Sequence, residues 1–227
     1  MSLGTPRLHL RRVDSTNERA RALAQEGAPH GALVTTAEQT AGRGRQGRVW
    51  VAPPGRALLM SLVLRTWPPL LPLAAGVAVA ETAGGDAAIK WPNDVLVGGR
   101  KIAGILVEAR PQAGWTVLGA GINVAVRPED LPPELAATAG TLARAPADVG
   151  AVLAELLTSL ERWLAATETE VLAAVRARDA LEGAEVSWSG GRGVAHGIDD
   201  SGHLLVSAEG GAEQTLQAGE VHLLRPA

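Results

Sequence analysis

Apolar positions follow more than one period along the first 182 residues of the chain. Residues 57–64 form a nearly continuous apolar run, which is typical of a strand with both faces buried. Residues 73–83 are small and apolar and predict a buried helix packed closely against a sheet. Residues 149–165 and 168–181 repeat apolar positions at helical spacing. This part of the chain therefore predicts an α+β domain in which helices pack on a sheet.

Shorter segments complete the expected sheet. Strands are predicted over residues 7–13, 32–38, 94–97, 101–108 and 115–126. The third and fourth of these flank Gly98-Gly99, which indicates a hairpin. Ser15 and Glu18 have capping-box spacing, which predicts a helix that begins there and ends near Gly27. Residues 128–140 predict a loop.

The pattern changes after Gly183. Five short alternating segments are separated by glycine, aspartate and serine, which predicts a small all-β barrel of about 45 residues. These segments are residues 185–189, 194–198, 204–207, 214–217 and 221–224. We therefore expect two domains, residues 1–182 and residues 183–227.

Composition and charge exclude several classes of protein. The chain has 227 residues, 46% of them hydrophobic, and a net charge of −3, so no global positive field attracts nucleic acid. It has no cysteine, which excludes disulfides and thiolate metal sites. The first residues lack the pattern of a signal peptide, and the longest apolar stretch is too short to span a membrane. We expect a soluble, cytoplasmic protein.

A glycine- and arginine-rich loop, Gly42-Arg43-Gly44-Arg45-Gln46-Gly47-Arg48, formally matches G-x-G-x-x-G. A dinucleotide fingerprint requires a helix to begin inside the motif, whereas this loop runs into residues 49–52 and then Pro53-Pro54. No G-K-[ST] follows, so the loop is not a P-loop either. Its glycines and three arginines suit a carboxylate or phosphate ligand. The alternatives are a solvated basic loop and an RNA-binding patch.

The two lysines of the chain lie close together in sequence. Of 21 basic residues only Lys90 and Lys101 are lysines, so we expect both where a compact ammonium is needed. Lys90 begins K-W-P-N-D, and Lys101 follows the Gly-Gly turn at the start of the paired strand, where it can return near Asp94. In the functional interpretation, this cation and this carboxylate face one pocket. The alternative is a surface ion pair that closes a hairpin.

Two further stretches admit a structural or a functional interpretation. Residues 119–124 place glycines in a strand, which favours close approach of a ligand or of another backbone, and Asn123 offers a donor and an acceptor to an adenine edge or to a turn. Residues 14–17 can cap a helix or bind a polar ligand. The five histidines form no metal motif, and no Ser-His-Asp order or cysteine indicates acyl-enzyme chemistry. No metal ligands are assigned.

Taken in order, D-S-T-N, G-R-G-R-x-G, K-W-P-N-D, K-I-A-G-I-L and G-I-N-V resemble the catalytic core of biotin protein ligases over essentially the whole chain. The resemblance implies a mixed sheet with helices similar to class II aminoacyl-tRNA synthetase cores, followed by a small SH3-like domain. The resemblance is to the monofunctional type of ligase, which lacks an N-terminal DNA-binding domain, so no repressor role is expected.

The resemblance also implies a role for each matching residue. The residues expected to bind biotin are Ser15, Thr16, Asn17, Gln39, Gly42, Arg43, Gly44, Arg45 and Lys101. Those expected to bind ATP or the adenylate are Arg43, Arg48, Trp50, Asn93, Lys101, Asn123 and Leu142, the last because no aromatic residue covers the adenine. The catalytic groups are expected to be Lys101, Arg45, Arg48 and Asp94.

The implied reaction uses ATP, Mg²⁺ and biotin and modifies a lysine of a biotin carboxyl carrier protein. A homodimer is possible, and neither nucleic acid nor membrane is an expected partner. The alternatives are a lipoate or octanoate transferase, whose R-R-x-S-G-G-G pattern has no match here, a non-catalytic biotin or nucleotide sensor, and an RNA-binding module.

Overall fold

The computed structural model describes residues 2–224 and contains a large mixed sheet and a smaller antiparallel one. The large sheet has seven strands in the order β1-β2-β3-β7-β6-β5-β4. The first two are parallel, and all other neighbours are antiparallel. The strands are β1 (Arg7–Leu10), β2 (Leu33–Thr36), β3 (Ala57–Leu64), β4 (Ala88–Lys90), β5 (Asp94–Val97), β6 (Arg100–Arg110) and β7 (Trp115–Asn123).

Residues 2–224 contain five α-helices, namely α1 (Thr16–Gln25), α2 (Leu71–Ala83), α3 (Pro133–Ala136), α4 (Val149–Leu164) and α5 (Glu168–Arg176). Four of these, α1, α2, α4 and α5, cover the two faces of this sheet. Ala20 and Ala24 of α1 pack on one face, against Val34, whereas α2, α4 and α5 belong to the core on the other face. All eight residues of β3 are buried because the strand is covered on both sides, as its continuous apolar run predicts.

Three local predictions differ from the structure. Residues 128–140, predicted as a loop, contain the short helix α3. Ser15 precedes α1 but makes no side-chain capping bond, so the predicted capping box is wrong. Its hydroxyl is buried and faces the polar recess described below. The last helix ends at Arg176 rather than near residue 181, because Asp179 forms a parallel bridge with Ile89 of β4, a strand that the sequence patterns did not predict.

The smaller sheet is antiparallel, with the order β11-β10-β9-β8-β12, and its strands overlap the five predicted segments. They are β8 (Glu185–Trp188), β9 (Gly191–Ile198), β10 (Leu204–Ala208), β11 (Glu213–Leu216) and β12 (His222–Leu223). Its apolar side chains join the same core cluster as α2 and α4. Trp91 Nε1 donates to the Gly202 carbonyl at 3.0 Å, which ties this sheet to the turn before β5.

Residues 225–227, the end of the second expected domain, lie outside the described residues. Within residues 2–224, none of the helices has the length and apolar character that crossing a membrane requires.

Candidate active site

A small polar recess of about 30 Å³ lies between the start of α1 and the middle of the large sheet. Thr16 donates to Gln39 Oε1 twice, from its backbone N–H at 2.7 Å and from its hydroxyl at 3.0 Å. The Ser61 hydroxyl of β3 lies 2.6 Å from Asn17 Oδ1, and Asn17 Nδ2 donates to Glu108 Oε2 at 2.8 Å. These bonds fix the orientation of the amide and hydroxyl groups around the recess.

Glycines on two strands allow side chains of the site to lie close to the sheet. A Cβ on Gly119 would overlap Asn17 Oδ1, and one on Gly121 would lie 2.6 Å from the Trp50 ring. A Cβ on Gly104 of β6 would lie 3.1 Å from the same ring. The indole of Trp50 therefore rests on a surface that only glycine leaves free. The sequence predicted close approach of a ligand or of another backbone at residues 119–124, whereas in the structure the side chains of Asn17 and Trp50 make that approach.

A second, larger cavity of about 420 Å³ adjoins the recess. The glycine–arginine loop, the β5–β6 hairpin, the segment 131–139 and residues 220–223 all contribute to its walls. Its charged lining consists of five cations and two carboxylates, namely Arg43, Arg45, Arg48, Lys90, Lys101, Asp94 and Glu220. Cations thus outnumber carboxylates, and the cavity suits a polyanionic ligand.

The two spaces meet beside Lys101. Arg43, Trp50, Gly104 and Leu106 line both of them. Lys101 Nζ lies 3.4 Å from the position that a Cβ on Gly104 would occupy, so its ammonium stands at this junction.

The ammonium of Lys101 has two partners in the structure. Its Nζ lies 2.7 Å from Asp94 Oδ1, so the hairpin returns the lysine to the aspartate as the sequence predicts. Nζ also lies 5.7 Å from the centroid of the Trp50 ring, within cation–π range. A carboxylate and an aromatic face therefore hold this cation in place.

The three loop arginines are all bound to neighbouring elements. Arg45 Nη1 donates to Asn93 Oδ1 at 3.1 Å. Arg48 Nη1 lies 2.5 Å from Glu220 Oε1, and Arg43 Nη1 lies 2.5 Å from Glu18 Oε1. A ligand that takes up these cations must compete with existing partners.

Comparisons with known proteins agree with this arrangement. The sequence model of the biotin/lipoate A/B protein ligase family matches residues 9–124, just over half of the chain. The biotin–[acetyl-CoA-carboxylase] ligase of Mycobacterium tuberculosis is 37% identical over 238 residues, which covers 93% of this chain and 86% of that protein. The chain belongs to this family.

Solved structures of family members share the fold. The biotin protein ligase of Aquifex aeolicus in complex with biotin and ATP superposes with a TM-score of 0.83 at 28% identity, covering 98% of this chain and 100% of that one. The bifunctional ligase/repressor BirA of Bacillus subtilis is 43% identical over 145 residues. That alignment spans 59% of this chain but only 45% of the Bacillus protein. The resemblance to biotin protein ligases inferred from the motifs is therefore confirmed.

Most of the predicted site residues line one of the two spaces, but two do not. Gly42 lies behind the loop, where a Cβ would overlap the Trp50 carbonyl oxygen, so this glycine serves the packing of the loop. Leu142 packs against the main core, and its backbone N–H donates to the Asn123 carbonyl at 2.8 Å. The apolar side chains that do line the larger cavity beside Asn123 include Leu131 and Leu135.

Asn123 is oriented by the segment that follows its strand. Its Nδ2 donates to the Gly140 carbonyl at 2.9 Å, which leaves Oδ1 as the free acceptor. This Oδ1, Trp50 Nε1 and Ser15 Oγ are buried without a hydrogen-bond partner among residues 2–224. Buried polar atoms are rarely left unpaired in native proteins, so their concentration here indicates a ligand site.

Burial changes the titration of two cavity cations. Burial lowers the pKa of Arg45, and the neighbouring Arg48 lowers it further. Burial also lowers the pKa of Lys90, which the positive charge of Lys101 reinforces and the negative charge of Asp94 opposes. The surroundings thus make the charged forms of these two residues more costly, and an anion bound in the cavity would offset that cost.

Several residues that line the larger cavity were not among the predicted site residues. Lys90 stands opposite Asp94 across the β4–β5 pair, and Glu220 and His222 reach the cavity from the smaller sheet. The scarcity of lysine singled out Lys90, although no role was assigned to it. Nothing in the local sequence around residues 220–222 indicates their position.

Proposed function

We propose that this protein joins biotin to ATP, forming biotinyl-5′-AMP, and transfers the biotinyl group to a lysine of a biotin carboxyl carrier protein. Membership of the family supports the general chemistry. The Mycobacterium relative and the Aquifex structure with biotin and ATP favour biotin over lipoate.

One observation carries the proposal: a recess lined mainly by hydroxyl and amide groups opens into a cationic cavity at the ammonium of Lys101. The recess offers hydroxyl and amide groups to a ureido ring, which needs both donors and acceptors. The cavity offers charge to a triphosphate. A carboxylate that extends from the recess would meet the α-phosphate at the junction.

In the first step, an oxygen of the biotin carboxylate attacks the α-phosphorus of ATP and the bond to pyrophosphate breaks. No general base is required because the nucleophile is already ionised. Lys101 aligns the carboxylate and the α-phosphate, and Arg45 and Arg48 offset the negative charge that develops on the leaving pyrophosphate. This requires Lys101 to exchange part of its contact with Asp94 for the substrates.

In the second step, the neutral acceptor amine attacks the acyl carbon, AMP leaves, and the proton lost by the amine passes to Asp94 or to solvent. Asp94, freed from part of its bond to Lys101, orients the incoming amine. The glycine–arginine loop covers the mixed anhydride and excludes water until the acceptor arrives.

Magnesium enters this scheme as part of MgATP, a substrate. Within residues 2–224 no group of three or more His, Asp or Glu side chains is placed to hold a metal. The carboxylates of the cavity, Asp94 and Glu220, are each engaged with a cation. The residues therefore fit a magnesium ion that is held mainly by phosphates and water.

Trp50 supplies an aromatic face beside the junction, and Asn123 Oδ1 offers an acceptor to the adenine amino group. Leu131 and Leu135 are better placed than Leu142 to cover the base. Biotin is assigned to Ser15, Thr16, Asn17, Gln39, Arg43 and Gly44 at the recess and the loop.

The finer features of the fold are part of the same proposal. We assign residues 1–182 to a catalytic domain similar to class II aminoacyl-tRNA synthetase cores and residues 183–227 to an SH3-like domain. The seven-stranded mixed sheet and the five-stranded antiparallel sheet support this division. A cytoplasmic location and a carboxyl carrier partner belong to the same proposal.

The test is to incubate the protein with biotin, MgATP and a carboxyl carrier domain and to weigh the carrier by mass spectrometry. We expect a gain of one biotinyl group that requires both biotin and ATP. A carrier whose acceptor lysine is replaced by arginine is the control. An unchanged carrier mass together with absent biotin-dependent ATP–pyrophosphate exchange would contradict the proposal. If the protein used lipoate in preference to biotin, the proposed substrate would be wrong.

A further inference from the structure

Arg43 of the loop is tied to helix α1. Its Nη1 lies 2.5 Å from Glu18 Oε1, and Glu18 stands in the first turn of α1, directly after Asn17 of the recess. Glu18 lines neither the recess nor the larger cavity, whereas Arg43 lines both. Any effect of Glu18 on a ligand in these spaces must therefore act through Arg43.

A second cation holds Glu18 in position. Arg21, three residues further along α1, lies 3.1 Å from the same Glu18 oxygen and 3.5 Å from Glu108 Oε1 of β6. The other oxygen of Glu108 accepts the hydrogen bond from Asn17 Nδ2 at 2.8 Å. An unbroken series of polar contacts thus runs from the recess amide to the loop arginine.

The exposure of these side chains indicates an exchangeable contact. The side chain of Arg43 is 52% exposed and that of Glu18 is 29% exposed, and such ion pairs are individually weak. Glu18 is already oriented by Arg21 and by its position at the helix N-terminus, where a negative charge is favoured. Pairing therefore restricts mainly Arg43, so the loss of side-chain entropy falls on one partner.

We propose that Glu18 is a positioning residue that holds Arg43, and with it the glycine–arginine loop, over the junction of the two spaces and so retains the acyl-adenylate. The inference rests on the proposed function and adds to it a residue outside the binding surface. Glu108 links the same anchor to Asn17, so occupation of the recess and closure of the loop share one support.

The test compares release of biotinyl-adenylate from the full-length protein and from Glu18→Gln in stopped-flow experiments. We expect release to accelerate by about fivefold, the size of one half-exposed ion pair. Adenylate formation at saturating biotin and ATP should change by less than about twofold, because Glu18 touches neither ligand. Glu26→Gln, which removes an exposed carboxylate at the opposite end of α1, is the matched control and should leave both rates unchanged.

A double-mutant cycle separates positioning from a general structural effect. In an Arg43→Gln background, Glu18→Gln should have no further effect on release, because the partner through which it acts is gone. Equal acceleration in both backgrounds, or wild-type release from Glu18→Gln, would overturn the inference. Failure of the wild-type protein to release pyrophosphate with biotin and MgATP would contradict the proposed function and this inference together.

Discussion

The recess and the larger cavity differ in how deeply their side chains are buried and in which groups hold those side chains. Ser15, Thr16 and Asn17 of the recess are 1%, 4% and 5% exposed. The Gln39 amide holds Thr16, and the Ser61 hydroxyl and the Glu108 carboxylate hold Asn17. The cations of the cavity are partly exposed, and carboxylates or an amide hold them: the side chains of Arg48 and Lys101 are 46% and 30% exposed.

This difference suggests how each space treats its ligand. A buried network of hydroxyl and amide groups loses little by receiving a neutral ring of matching shape, because its groups are already in place. Ion pairs in partly solvated surroundings are cheap to exchange, so phosphates can replace Glu220 or Asp94 as partners of the cations. We infer that the recess provides selectivity and that the cavity provides charge that can be redistributed during the reaction. The following predictions test this contrast.

The largest effect is expected at the junction. Lys101→Met removes the ammonium that serves both spaces and should reduce biotin-dependent ATP–pyrophosphate exchange by about 100-fold or more, as expected for loss of a preorganised charge at the reacting centre. Arg110→Met, on the exposed end of the same strand, is the control. Exchange within tenfold of the wild-type rate in a folded Lys101→Met protein would remove Lys101 from the mechanism.

A change in the recess should affect biotin alone. Gly119→Ala would force Asn17 from its position, so the KM for biotin should rise by about tenfold, comparable to loss of one buried hydrogen bond, while the KM for ATP stays within about twofold. Gly121→Ala displaces Trp50, which lines both spaces, and should raise both constants. If both variants changed the same constant, the two spaces would not be separate in function.

Replacing Lys90 should weaken ATP binding and stabilise the fold. Lys90→Met should raise the KM for ATP by about fivefold, because one cation of the cavity is lost. The same change should stabilise the fold at neutral pH, because burial lowers the pKa of Lys90 and the charged form is therefore costly in the folded chain.

The sign of the pH dependence follows from that shift. Between the lowered pKa of the folded chain and the ordinary pKa of the unfolded chain, the unfolded chain binds more protons, so wild-type stability rises with pH. The advantage of Lys90→Met should be largest at neutral pH and should disappear above the ordinary lysine pKa. Denaturant unfolding at several pH values measures this, and an advantage independent of pH would contradict it.

The smallest effect is expected at the contact with the smaller sheet. Glu220→Gln removes one partner of Arg48 and should change the KM for ATP by about two- to threefold, the range of an exposed ion pair. The biotin KM should not change, because Glu220 does not line the recess. A larger change in the KM for biotin than in the KM for ATP would indicate that the smaller sheet contributes to biotin recognition.

Local sequence determined much of the framework of this protein. The apolar run of β3 predicts its burial because period and composition suffice for a strand covered on both faces. The Gly-Gly turn pairs Lys101 with Leu96, because a two-residue hairpin fixes the register next to its turn, and the lysine side chain then reaches Asp94 two positions away. The glycines at positions 119 and 121 predict close approach because only glycine leaves that space.

Only the tertiary structure decided which side chains complete the site. Glu18 meets Arg43 because α1 packs beside the loop, and Glu220 meets Arg48 because the smaller sheet shares a core with α2 and α4. The hydroxyl of Ser15 faces the recess rather than its helix for the same reason. These contacts join residues 25 to 172 positions apart, and such pairings depend on how whole elements pack, which local periodicity does not encode.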